Sequence, residues 1–157
     1  MGKYAEKTRV PESQTRAEIE KTLMRYGATG FMYGWHEKKA VIALEMESRR
    51  IKFLLPLPDI ESDDIKLTSK GWEKSESEKQ LSLAQATRQR WRALLLCIKA
   101  KLESVESGIE TFEEAFMPHI VLPDGFTVGQ WMLPQIAKSY DDKKMPPMLG
   151  TGDGKVK

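Results

Sequence analysis

The chain has no asparagine, one cysteine and two histidines in 157 residues. A lone Cys97 excludes a disulfide framework and any zinc site built on paired cysteines. His36 and His119 have no ligand-like spacing to other Cys, His or carboxylate residues, so no metal and no cofactor are expected. Long apolar runs are also missing. The longest is Ala93-Leu94-Leu95-Leu96-Cys97-Ile98, far too short to span a membrane. Cys97 itself is expected in the core, buried and inert, because it sits inside that run. The opening Met-Gly-Lys-Tyr-Ala-Glu has no signal-peptide core, and Glu6 stands where myristoylation needs Ser or Thr. A soluble protein of the cytoplasm, with no membrane partner, is the expectation. Gly150 to Lys155 imitates a phosphate-binding loop but has Leu149 where the first glycine belongs.

What is present is a balanced composition, 40% hydrophobic and 31% charged, as in a globular protein with a core of its own. The net charge of +2 hides a pattern of alternating blocks. Residues 1–58 carry 11 basic and 7 acidic side chains, and 81–102 carry 5 basic and none acidic. Residues 59–80 carry 4 basic and 7 acidic, and 103–157 carry 5 basic and 9 acidic. If the two basic blocks meet in the fold they form a positive face suited to a polyanion; if all four meet, they neutralise one another.

Periodicity gives the elements. Thr15-Arg16-Ala17-Glu18 reads as a capping box opening a helix over 16–26, stopped at Gly27. Phe31, Tyr33 and Trp35 alternate with Met32, Gly34 and His36, which is a strand signal. Ala40–Met46 and Ile51–Leu55 are two further strands of an antiparallel meander, ended at Pro56 and Pro58. Residues 59–80 read as a polar, mobile loop, with Ile65-Lys66-Leu67-Thr68 a candidate fourth strand. A long helix follows over 82–107, its stripe made of Trp91, Leu94, Leu95, Ile98, Leu102 and Val105. Arg88, Arg92 and Lys99 flank one side of that stripe, Arg90 and Lys101 the other. A helix near 111–118 and a capping box at Thr127-Val128-Gly129-Gln130, opening a helix over 128–140 with Pro134 as a kink, complete the pattern. The expected fold class is α+β. It has a flexible arm (1–14), one domain (15–148) and a disordered tail (149–157).

Two features point to function. Phe31, Tyr33 and Trp35 form an aromatic file able to stack on bases, or else to pack beneath the long helix with one edge ring exposed. The cations Lys38, Lys39, Arg49, Arg50 and Lys52 on the hairpins, with Arg88, Arg90, Arg92 and Lys99 on the long helix, are candidates to line one groove that tracks phosphates. The carboxylate pairs Asp63-Asp64, Glu113-Glu114 and Asp141-Asp142 are adjacent, so their side chains diverge and form no local acid–base pair. A nuclease would need carboxylates gathered from across the fold.

The order helix, glycine turn, three-stranded meander and long helix resembles the core of phage single-strand annealing proteins of the RecT, Red-beta and Erf group. Leu23-Met24-Arg25-Tyr26-Gly27-Ala28-Thr29-Gly30-Phe31 looks like their opening motif. The resemblance spans residues 15–108. It implies non-catalytic binding of single-stranded DNA in a basic groove, promotion of annealing or recombination, and a homo-oligomeric ring or filament. Gln89-Arg90-Trp91-Arg92-Ala93-Leu94-Leu95-Leu96 through Lys99-Ala100-Lys101-Leu102-Glu103, with Leu122-Pro123-Asp124-Gly125, is similar to a family of small uncharacterised phage and prophage proteins. That similarity implies a viral origin and a host-cell cytoplasmic location, and transfers no catalytic residue. The rival expectation is a phage protein that binds and inhibits a host defence or replication enzyme, through an apolar or acidic patch within 103–142.

Overall fold

The computed structural model describes residues 2–144, to which every structural statement below refers. The expected tail, 149–157, lies outside them. The chain runs α1 (Glu12–Arg25), β1 (Gly30–His36), β2 (Lys39–Met46), β3 (Arg49–Pro56), α2 (Asp63–Lys66), α3 (Glu76–Glu106), α4 (Phe112–Phe116), a 3-10 turn (Met117–His119) and α5 (Val128–Asp142). The strands form one antiparallel sheet in the order β1-β2-β3, so the fold is α+β as the periodicity predicts.

Period-2 alternation sorts the sheet into two unlike faces. Phe31 and Tyr33 share a face with Ala40, Ile42, Leu44, Ile51, Phe53 and Leu55. The helices cover that face with Ile19 and Leu23 from α1, Trp91, Leu95, Ile98 and Leu102 from α3, and Phe112 and Phe116 from α4. The opposite face carries Met32, Gly34, Val41, Ala43, Lys52 and Leu54, and none of these is buried. One-sided burial of this kind is open to antiparallel sheets.

Two-residue turns join the strands. In the β2–β3 turn Glu47 and Ser48 both hold positive φ, at 51° and 58°. Such turns favour Asn-Gly, and the chain has no asparagine to offer.

Three elements and one burial differ from expectation. The Thr15–Glu18 box does not start α1. The helix begins at Glu12 behind an N-cap Pro11 with no side-chain cap, and Thr15 is fully buried inside it. Glu18 is drawn off to cations on α3 instead. Residues 63–66 form a turn of helix and not a strand; only Leu67 makes an isolated bridge, to Glu73. Residues 75–81 are not loop. Ser75 accepts from the Glu78 backbone N–H while the Glu78 carboxylate accepts from Ser75, a capping box that starts α3 six residues earlier than expected. Cys97 is exposed, because α3 turns it about 120° from the centre of the buried stripe marked by Trp91. Helical angle, not membership of an apolar run, decides burial there.

The first residues are tied to α3. Gln85 Nε2 donates to the Glu6 and Thr8 carbonyls, each at 2.9 Å, and Gln89 Nε2 to those of Gly2 and Tyr4. This carries Arg9 and the start of α1 alongside the first half of α3.

Candidate nucleic-acid interface

The nine candidate cations do not converge on one groove. Lys38 and Lys39 sit at one end of the sheet and Arg49 and Arg50 at the other, about 24 Å apart along the strands. Lys38 pairs with Asp59, holding that carboxyl below its ordinary value through the lysine's hydrogen bond. Arg49 meets Glu113 at 3.7 Å. Lys39, Arg50 and Lys52 lie on the uncovered sheet face, where Lys52 Nζ donates to the Gly125 carbonyl at 2.8 Å. Arg90 caps the end of β3, donating to the Pro56 carbonyl at 2.7 Å.

Arg88, Arg92 and Lys99 do share the side of α3 that meets α1, as their helical angles require. Two are ion-paired there, to a single carboxylate. Glu18 takes Arg92 Nη1 at 2.6 Å and Lys99 Nζ at 2.8 Å. Hydrogen bonds from Lys99 and then Arg92 hold the Glu18 carboxyl below its ordinary value of 4.5.

Arg88, one turn earlier, has a different setting. It lines a cleft of about 340 Å³ with Arg9, Arg16, Ser13, Pro11, Glu12 and Ala84. Among the described residues none of these three guanidinium groups forms an ion pair. Arg88 Nη2 donates to Gln85 Oε1 at 2.6 Å, while its buried Nε has no protein acceptor. The Arg16 guanidinium lies 4.3 Å over the Tyr33 ring, which packs edge-on against Trp91. Glu12 is the one acidic side chain of the lining, so the cleft keeps an excess of two positive charges.

The aromatic file divides along the same edge. Phe31 and Tyr33 are half-buried against the core, whereas Trp35 is 71% exposed. Tyr33 and Trp35 share a face two residues apart, which places the open indole about 7 Å along β1 from the ring beneath Arg16. The arrangement therefore offers three unpaired arginines and one exposed aromatic on the α1/β1/α3 side of the molecule. Sequence spacing leaves Arg9 and Arg16 unremarked: nothing local joins residues 9, 16 and 88, and only the packing of α1 on α3 does so. No helix among the described residues is long and apolar enough to cross a membrane. No family model, curated protein or solved structure matches the chain.

Proposed function

We propose that the protein binds single-stranded DNA without covalent chemistry, in a phage setting where it promotes annealing or recombination. The observation that carries this reading is the cleft of Arg9, Arg16 and Arg88, in no ion pair among the described residues, with the exposed Trp35 two residues along β1 from the Tyr33 ring beneath Arg16. Guanidinium forks suit phosphate oxygens geometrically. A base stacked on Trp35 adds sequence-tolerant affinity of about 1–3 kcal/mol. Of the residues first considered, Arg88 and Trp35 carry the binding; Arg9 and Arg16 join them, and Arg92 and Lys99 hold α1 to α3.

Titration of a labelled oligothymidine tests it. Three phosphate contacts predict a slope of log affinity against log salt of about −2. Absence of binding at low salt removes the proposal, and equal affinity for an oligouridine makes the ligand single strands in general.

A second reading has one observation in its favour. The uncovered apolar side chains of α5 suit a protein that binds and inhibits a host enzyme. Its mark is a host protein that co-purifies while oligonucleotides fail to bind.

A further inference from the structure

Gln85 is bonded at both ends of its amide. Its Nε2 donates to the Glu6 and Thr8 carbonyls, each at 2.9 Å, and its Oε1 accepts from Arg88 Nη2 at 2.6 Å. Gln89, one turn on, gives its Nε2 to the Gly2 and Tyr4 carbonyls. Two further carbonyls are met within the N-terminal segment. Glu6 N–H donates to that of Lys3 at 3.3 Å and Thr8 N–H to that of Ala5 at 3.0 Å, with Ala5 at a φ of 54°. Residues 2–8 are thus pinned at alternate carbonyls by two amides of α3, while no side chain of the segment enters the hydrophobic core.

An amide alone among side chains offers two N–H donors and an acceptor on one planar group. Here two carbonyl oxygens need the donors and a guanidinium needs the acceptor. A carboxylate would lack the first and an ammonium the second. Arg9 follows Thr8 directly and lines the cleft with Arg88. One side chain therefore sets the place of two of the cleft's three arginines, Arg88 by direct contact and Arg9 through the segment that leads into it. Arg16 is held separately, over the Tyr33 ring. Long side chains that binding must first order cost affinity, and side chains already held do not.

We propose that Gln85 is a positioning residue for the cationic cleft: it holds Arg88 and, through residues 6–8, Arg9 in place for one polyanion. The proposal rests on the single-strand reading of the cleft. Gln85→Met keeps the length of the side chain and removes all three of its bonds. It should speed hydrogen exchange at the Glu6 and Thr8 amides and leave that of β2 unchanged, which marks the variant as folded. Oligothymidine affinity should fall about 10-fold at low salt, because binding must then order two arginines, and the salt slope should stay the same because no charge is lost. In an Arg9→Ala, Arg88→Ala background the same substitution should cost less than about 2-fold, since the side chains it positions are gone. Gln85→Glu should bind more weakly still, with a slope shallower by about 0.7, as the carboxylate repels the two carbonyls and pairs with Arg88. A loss with Gln85→Met that is equal in both backgrounds, no loss beside a wild type that binds, or unchanged exchange at Glu6 and Thr8 would each overturn the positioning role alone. A wild type that does not bind oligothymidine removes the single-strand reading and this proposal with it.

Discussion

Arg88 and Arg92 are one turn apart on the same side of α3, and they have opposite fates. Arg92 meets Glu18 across the α1–α3 seam, and Lys99 meets the same carboxylate, so that stretch of the seam is an internal clamp. Arg88 meets only Gln85 and faces a cleft shared with Arg9 and Arg16. Identical residue types at helical spacing thus became a structural brace in one place and an open cationic site in the other. The difference is made by a single acid on the opposing helix. Counting cations on one helix face does not locate a polyanion site; what matters is which of them the fold leaves without a carboxylate.

The comparison breaks most easily at the cleft. Arg16→Glu with Arg88→Glu should abolish oligothymidine binding, a loss of at least about 100-fold at low salt, since it converts attraction into repulsion at two phosphate contacts. Arg92→Ala, one turn away, should leave affinity within about two-fold. It should instead lower thermal stability by removing half of the Glu18 clamp, as differential scanning calorimetry would record. Equal losses of DNA binding in the two experiments would erase the distinction.

Trp35→Ala should weaken binding by about 5- to 100-fold, the stacking of one base, with an unchanged salt slope because no charge is lost. Tyr33→Ala would confuse the measurement, since that ring packs against Trp91.

Glu18→Gln sharpens the comparison from the other side. It frees Arg92 and Lys99, so single-strand binding should tighten and the salt slope should steepen, while stability falls by about 1 kcal/mol. Acid has the same structural effect on the wild type. Because the folded Glu18 pKa lies below its ordinary 4.5, its contribution is complete above that value and is lost as pH falls through the folded pKa. His119 acts earlier. Burial, with Lys101 nearby, lowers its pKa below 6.5 as it lies 4.3 Å from the Phe53 ring. The unfolded chain then takes up a proton that the native state refuses, so stability should begin to decline as pH drops through 6.5. Chemical denaturation from pH 8 to about 2 should show the two steps, the first removed by His119→Phe and the second, below pH 4.5, by Glu18→Gln.

The smallest effect lies away from the seam, at the β2–β3 turn. Glu47→Asn with Ser48→Gly relieves two left-handed residues and should raise stability by about 1 kcal/mol. DNA affinity should not change, which separates stability from binding.

The sheet was legible because alternation fixes both the strands and their buried face. Phe31 and Tyr33 pair opposite Leu44 and Ile42, so the face that holds one holds all. The inward stripe of α3 was legible for the same reason at period 3.6. Its start was missed although Ser75-Glu76-Ser77-Glu78 spells a capping box, because the acidic surroundings resemble a loop. Thr15 and Glu18 spell another that the fold does not use: Thr15 is fully buried within α1, and Glu18 is engaged by two cations on α3. Half of the candidate site was readable as residue types, Trp35 and Arg88 among them. Its other half, Arg9 and Arg16, depends on where α1 lies against α3, and no local pattern encodes that juxtaposition. The single groove fails because the fold divides its cations: Lys39, Arg50 and Lys52 lie on the uncovered sheet face, Lys38 and Arg49 are ion-paired at opposite ends of the sheet, and Arg92 and Lys99 are held by Glu18 on the other side.

The most direct test is the salt dependence of oligothymidine binding for wild type, Arg88→Ala and Arg92→Ala, followed by fluorescence anisotropy. The account predicts a wild-type slope of about −2, a slope reduced by about 0.7 for Arg88→Ala, and no change for Arg92→Ala. Undetectable binding by the wild type, or a slope that Arg92→Ala reduces while Arg88→Ala does not, would contradict it.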